Sequence, residues 1–353
     1  MSRFLSQKLA GLEAYVPGEQ PRDKRYIKLN TNESPYPPPK SVTDSIGKAE
    51  IEDLRLYSDP ECTALKAALA EQYGVNTKNI FISNGSDEVL NFAFMAYGDK
   101  GAVFPDITYG FYSVFADLYG INAEVAPLNE DFTVDINDYC GKNSLVVIAN
   151  PNAPTGIALE LSEIEKIVSS NPDGIVIIDE AYVDFGAQSA IKLTEEYSNL
   201  LVVQTFSKSR SMAGARLGFA FANEQIIEDL EKIKYSTNPY NINRLTQITG
   251  TAALKNQAYF DENCHKIAET REYVKAELKQ LGFTVTDSKA NFLFAKSDKI
   301  GGKELYLSLK ERGILIRHFE NERIKDFNRI TVGSREEMEI FLKNVGEIMG
   351  GKL

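Results

Sequence analysis

Five short runs along the middle of the chain are apolar without alternation: Ile80–Ser83, Ala102–Phe104, Leu145–Ala149, Ile175–Ile178 and Leu201–Phe206; a sixth follows at Leu217–Ala222. A strand with one wet face alternates apolar and polar residues. Uninterrupted runs of this length suit strands buried on both faces. Stretches of helical period lie between them, such as Asp87–Tyr97 and Ser162–Ser169, the latter opened by a Ser162/Glu165 capping box. Alternation of this kind predicts an α/β layer fold with a mostly parallel sheet. Beyond Glu224–Lys234, Asn238-Pro239 breaks the helical pattern. Helices over Gln247–Leu254 and Asn263–Leu281 follow, then strands near Phe292–Ala295, Ile314–Arg317 and Arg329–Val332, and a helix over Glu336–Ile348. This half reads as a smaller α+β domain. The Pro-rich run Pro35–Pro39 is an extended joint. The expected division is an N-terminal arm over 1–40, a large domain over 41–240 and a small domain over 241–353.

Length agrees with that division, because 353 residues exceed one ordinary core of roughly 100–200 residues. The net charge of −11 argues against a broad nucleic-acid surface, which needs a basic face. It leaves room for a small anion held by a few local donors. Cys62, Cys140 and Cys264 are odd in number and far apart, so a disulfide framework or zinc site is not expected, and a reducing cytoplasm suits them. The first twenty residues carry no apolar signal-peptide core, and no run approaches the ~20 apolar residues of a membrane span. His265 and His318 lack ligand companions, so no metal is expected.

Four polar groups each follow a buried strand: Ser83-Asn84-Gly85-Ser86-Asp87, Asn150-Pro151-Asn152-Ala153-Pro154-Thr155-Gly156, Asp179-Glu180-Ala181-Tyr182, and Ser207-Lys208. Open α/β sheets bind ligands beyond the carboxyl ends of their strands, so parallel strands would bring these loops to one edge. Gly85-Ser86 at a helix start is either a phosphate seat or an ordinary capped turn. Asp179 either caps the next element or meets a cationic ring nitrogen. Lys208 is a solvated loop lysine, or a partly desolvated amine ready to form an imine. Arg216, eight residues on, either grips a phosphate through two parallel hydrogen bonds or lies on the surface.

Taken together, Asn-Pro-Asn-x-Pro-Thr-Gly, Asp-Glu-Ala-Tyr, and Ser-Lys with an Arg eight beyond resemble the fold-type I pyridoxal-phosphate aminotransferases. Leu29–Pro35, Tyr57–Pro60, Ser83–Glu88, Gly313–Arg317 and Arg329–Arg335 resemble the histidinol-phosphate aminotransferase branch. The resemblance implies a seven-stranded, mostly parallel sheet flanked by helices, a smaller α+β domain, and pyridoxal 5'-phosphate as cofactor. It implies that Lys208 holds the cofactor as a Schiff base and shuttles a proton, that Asp179 pairs with the ring nitrogen, and that Tyr182 bonds the ring hydroxyl. Tyr109 would stack on the ring. Gly85, Ser86, Asp87, Thr205, Ser207 and Arg216 would surround the cofactor, and Tyr57 would reach the phosphate of a second subunit, implying a homodimer. Arg329, Arg317, Tyr15 and Asn32 would bind a small amino donor and a 2-oxo acid. One departure stands out. Relatives usually place Asn directly before Pro-Thr-Gly to bond the ring hydroxyl, whereas this chain has Ala153, with Asn152 one residue away as the candidate replacement. Losing such a bond costs about 0.5–1.5 kcal/mol.

The implied reaction is amino transfer between L-histidinol phosphate and 2-oxoglutarate. Alternatives are a decarboxylase of threonine phosphate type and an aromatic or broad amino-acid aminotransferase. A cofactor-binding regulator would need an added DNA-binding domain, for which no ~60-residue basic segment exists. Neither GxGxxG nor GxxxxGK[ST] occurs, against dinucleotide and P-loop enzymes.

Overall fold

The computed structural model describes residues 4–350. Its strands are β1 (Ile27–Lys28), β2 (Ile80–Ser83), β3 (Ala102–Pro105), β4 (Ala123–Ala126), β5 (Leu145–Ala149), β6 (Val176–Asp179), β7 (Leu200–Thr205), β8 (Gly218–Ala222), β9 (Phe283–Val285), β10 (Phe292–Ser297), β11 (Ile314–Leu315), β12 (Arg317–His318) and β13 (Asn328–Thr331). Seven of these form the main sheet in the order β2-β8-β7-β6-β5-β3-β4. Only β8 runs against its neighbours, pairing antiparallel with both β2 and β7. The carboxyl ends of β2, β5, β6 and β7 therefore share an edge with the start of β8, which is why Arg216 joins the other loops there.

Burial on both faces follows from the two-residue period of a strand. Val146, Ile148, Val176, Ile178, Leu200 and Val202 point into one helical layer. Leu145, Val147, Ile177, Leu201 and Val203 point into the other. At about 1.5–3 kcal/mol for each fully buried aliphatic side chain, these two layers dominate the stability of the large domain. The edge strand β4, Ala-Glu-Val-Ala, is half exposed and carries no apolar run, so the sequence pattern did not reveal it.

The small domain holds the antiparallel sheet β12-β13-β10-β9, and β1 of the arm pairs in parallel with β11. Leu29 of the arm is buried with Ile314, Ile316, Ile330 and Val332 in one core. The predicted strand Ile314–Arg317 is split at Ile316 between two sheets. Residues 241–260, grouped by sequence with the small domain, pack instead in the large core: Ile242, Ala253, Leu254 and Phe260 are buried beside Leu65 and Leu69. Helix Gln257–Gln280 then passes from that core to the small one through Ile267, Val274 and Leu278. The helix predicted from Ser162 begins at Leu161, and its capping carboxylate is Glu163, which accepts from the Glu160 N–H at 2.8 Å, not Glu165. No described helix is long and apolar enough to cross a membrane.

Candidate active site

The loops beyond β2, β6 and β7 and the turn before β8 surround a cavity of about 160 Å3, lined by Ser86, Asp87, Tyr109, Ala153, Asp179, Tyr182, Thr205, Ser207, Lys208 and Arg216, among others. A second compartment of about 360 Å3 adjoins it and shares Thr31, Tyr109, Ala153, Tyr182 and Lys208. Its other walls include Tyr15, Asn32, Arg317 and Arg329.

Asp179 closes the inner cavity. It is 5% exposed, and its Oδ2 accepts from the Tyr112 hydroxyl at 2.9 Å while Oδ1 accepts from the Ala181 N–H at 3.3 Å. Burial pushes its carboxyl up to about 6, against the lowering effect of those two hydrogen bonds. No ion pair reaches it among the described residues. A buried carboxylate without a cation suits a protonated ring nitrogen, whose positive charge would offset the burial.

The opposite end is a cradle for an anion. Gly85 (φ +74°) caps helix Ser86–Tyr97, whose first turn leaves N–H groups unpaired. A Cβ on Gly218 would lie 2.4 Å from the Gly85 carbonyl carbon and the Ser86 nitrogen, and one on Gly85 would lie 2.6 Å from Arg216 Nη2. Only glycines let β8 and the guanidinium press this closely on the turn. Arg216 itself is left-handed (φ 51°, ψ 54°), a conformation costing roughly 1–2 kcal/mol. Its Nη2 lies 3.0 Å from Asp87 Oδ2, and Asp87 Oδ1 accepts from the Tyr109 hydroxyl at 2.7 Å. Asp87 thus ties the phosphate cradle to the wall of the cavity. Across it, Thr205 Oγ1 donates to Ser207 Oγ at 2.9 Å and accepts from the Ser207 N–H at 3.1 Å. These groups fit the phosphate of pyridoxal phosphate as Asp179 fits its ring.

Lys208 is half-buried between the two compartments. Its Nζ donates to the Thr31 carbonyl at 3.2 Å and lies 5.6 Å from the centre of the Tyr182 ring. The arm reaches the same place: Asn32 (φ 56°) donates through Nδ2 to the Tyr182 hydroxyl at 2.9 Å, while its Oδ1 accepts from Thr331 Oγ1 at 3.0 Å. One side chain therefore joins the arm, the small domain and the site.

Two cations face the outer compartment with no carboxylate partner among the described residues. Arg329 donates to the Asn30 carbonyl at 3.0 Å, keeps a buried Nε without a partner, and stacks near Phe292 and Phe319. Arg317 makes long contacts of 3.5 and 3.3 Å to the carbonyls of Pro17 and Val16 and lies over the Phe319 ring, 5.7 Å from its centre. Tyr15 stacks on Phe111 with centroids 4.2 Å apart, opposite Tyr109 at 6.3 Å.

Two of the expected cofactor contacts do not line this chain's own cavity. Asn152 lines neither compartment. Its Nδ2 donates to the Ile107 carbonyl and to Thr155 Oγ1, and its Oδ1 accepts from Thr108, so the side chain braces loops. Ala153 presents only a methyl group to the cavity, and Tyr182 is left with Asn32 as its hydrogen-bond partner. Tyr57 is 79% exposed and stacks on Tyr240 at 4.4 Å, away from this chain's own cavity. Tyr112 was missed by sequence reasoning. Its ring lies edge-on to that of Tyr109, with centroids 5.7 Å apart, and its place two residues into helix Phe111–Tyr119 carries no sequence signal of its own.

A mostly parallel sheet with a buried acid, a loop lysine and an anion cradle at its carboxyl edge defines an aminotransferase-type site. The family model described as aminotransferase class I and II matches residues 24–345, and the chain belongs to that family. It is 53% identical over 352 residues, 99% of each chain, to a Brachyspira hyodysenteriae protein named histidinol-phosphate aminotransferase. The crystal structure of the histidinol-phosphate aminotransferase from Clostridium acetobutylicum superposes with a TM-score of 0.85 at 25% identity, covering 92% of this chain and 99% of that one. The Sinorhizobium meliloti enzyme of the same name, in complex with pyridoxal-5'-phosphate, superposes at 0.84 with 24% identity, covering 93% and 92%.

Proposed function

We propose that this chain transfers an amino group between L-histidinol phosphate and 2-oxoglutarate, a step of histidine biosynthesis, with pyridoxal 5'-phosphate as its resident cofactor. The observation that carries the reading is the pair Arg317 and Arg329, two guanidinium groups without carboxylate partners among the described residues, on the compartment next to Lys208. One planar guanidinium pair can grip a phosphate ester or a carboxylate in turn. That is what a site alternating between a phosphorylated donor and a dicarboxylic acid requires. The name carried by full-length relatives supports the same choice.

Bound there, the cofactor supplies an aldehyde for imine formation and a cationic ring that withdraws electrons. Lys208 provides the amine, and its Nζ then carries the proton removed from the donor's Cα. Asp179, itself held by Tyr112, would hold the positive charge on the ring nitrogen. Tyr182, oriented by Asn32, would face the ring hydroxyl. Gly85, Ser86, Thr205, Ser207 and Arg216 would hold the phosphate, with Arg216 oriented by Asp87, and Tyr109 would cover the ring. Tyr15 and Asn32 complete the donor site, with Tyr15 on the aromatic wall. A homodimer accounts for the exposed cluster Ile51, Leu54, Leu56 and Tyr57 and would bring Tyr57 to the phosphate of the second subunit. The three unpaired cysteines suit a cytoplasmic enzyme.

The test follows the cofactor absorbance of purified protein on addition of L-histidinol phosphate, phenylalanine or threonine phosphate. The reading expects the highest specificity constant for L-histidinol phosphate, with turnover dependent on 2-oxoglutarate. Release of carbon dioxide from threonine phosphate without amino transfer, or a preference for phenylalanine, would replace it with one of the two rival reactions.

A further inference from the structure

Behind the lysine, a chain of buried polar side chains crosses the large core. Arg210, two residues beyond Lys208, is 2% exposed and forms no ion pair among the described residues. Its Nη2 donates to the Tyr73 hydroxyl oxygen at 2.9 Å. The Tyr73 hydroxyl donates to Gln204 Oε1 at 2.9 Å, and Gln204 Nε2 donates to Glu180 Oε2 at 2.8 Å. Glu180 is 1% exposed and also accepts from the Ser189 hydroxyl and the Ala190 N–H, both at 2.6 Å.

The direction of this chain is set at the Arg210 end. A guanidinium can only donate, so the Tyr73 hydroxyl accepts from Arg210 and donates to Gln204, whose amide donates to Glu180. Burial pushes the Glu180 carboxyl up to about 7, against the lowering effect of its three donors. Such a head-to-tail series strengthens its own links in a low-dielectric interior. It links a buried guanidinium to a buried carboxyl through two neutral groups, without the two touching.

What the two ends hold is the reason to single it out. Arg210 belongs to the turn that presents Lys208. Glu180 directly follows Asp179 and precedes Tyr182 by two residues. Between Lys208 and Arg210, Ser209 donates to Asp184 in the short helix Val183–Phe185, a second tie between the same two segments. None of the four relay side chains lines either compartment, so each acts through its backbone neighbours.

We infer that Arg210, Tyr73, Gln204 and Glu180 are positioning residues for the amino transfer, a buried relay that sets the spacing between the Lys208 turn and the Asp179–Tyr182 segment. The inference rests on the roles given above to Lys208 and Asp179. It assigns to the second residue of Asp-Glu-Ala-Tyr, and to the second residue after the lysine, work that the cavity-lining residues do not explain.

Tyr73→Phe cuts the relay at its middle while keeping the ring that packs on Phe221 and Phe219. Gln204→Met cuts it one link further on. Two measurements are made on each variant: steady-state kinetics of the holoenzyme, giving kcat and KM, and the rate at which apoprotein mixed with pyridoxal phosphate gains the imine absorbance. A displaced lysine is expected to lower kcat by about 10–100-fold at unchanged KM, to slow imine formation in step, and to give a double variant no worse than either single. If Tyr73→Phe fails to fold, Gln204→Met alone carries both readings. Variants that melt earlier yet form the imine and turn over at the parental rate would overturn the inference. So would losses that multiply in the double variant. Failure of the underlying reading looks different: borohydride would then fix no pyridoxyl group on Lys208 of the unsubstituted protein.

Discussion

Asp179→Asn separates the cost of burying a charge from the use made of it. Without cofactor, burial raises the Asp179 carboxyl from 3.8 to about 6. The folded protein then keeps this proton to a higher pH than the unfolded chain does. Folding therefore loses stability as pH rises from about 4 to about 6, and the whole penalty is present above that window. A shift of about two units corresponds to about 3 kcal/mol. The amide carries no charge and still offers an oxygen to the Tyr112 hydroxyl or the Ala181 N–H. The expected result is an apoprotein more stable than the parent near neutral pH, by up to about 3 kcal/mol, with the difference fading toward about pH 4. Cofactor should reverse the order, because the ring cation then gives the parental carboxylate its partner and gives the amide nothing. Saturating pyridoxal phosphate should stabilise the parent more than the variant, and amino transfer should fall by about 100–1,000-fold. Urea unfolding of apoprotein across that pH range, repeated with cofactor, provides the measurement. An apo variant less stable than the parent at neutral pH would refute the burial argument, and parental turnover would refute the role.

Tyr112→Phe removes a hydrogen bond that lowers the Asp179 carboxyl. A bond to a charged group is worth about 1.5–3 kcal/mol, so the step in apoprotein stability should move up by about one to two pH units in the same unfolding series. Gly218→Ala drives a methyl group into the Gly85–Ser86 backbone. Fluorescence titration should show cofactor affinity weakened at least about ten-fold, near 1.4 kcal/mol, whereas Gly301→Ala, with open space around its Cβ, should leave it unchanged. Arg329→Gln should lower kcat/KM for both amino donor and 2-oxo acid by about 10–150-fold, the worth of a charge-assisted contact, while the imine absorbance stays as in the parent.

Much of this architecture was legible because the sheet is buried on both faces. β2, β5 and β7 read as apolar runs, and the polar group after each marked the edge where a ligand binds. β4 was hidden because an exposed edge strand needs no such run. The helix Phe111–Tyr119 was not read either, and with it went Tyr112, the partner of Asp179. For Asp179, one oxygen accepts from the Ala181 N–H, as the capping reading expects, and the carboxylate lines the cavity, where a ring nitrogen would have to lie. Asn152 failed for a reason that spacing cannot show. Its amide is used up by Ile107, Thr108 and Thr155, contacts of loops more than forty residues away or tightly turned. The buried relay behind Lys208 also depends on contacts distant in sequence, since Tyr73 and Arg210 lie 137 positions apart.

The most direct test of the central claim is chemical. Purified protein reconstituted with pyridoxal phosphate is treated with borohydride, digested, and its peptides weighed. A pyridoxyl group fixed on Lys208, together with only dialysable cofactor and no amino transfer in Lys208→Ala, is the expected outcome. A label on another lysine, or full turnover in the variant, would contradict it.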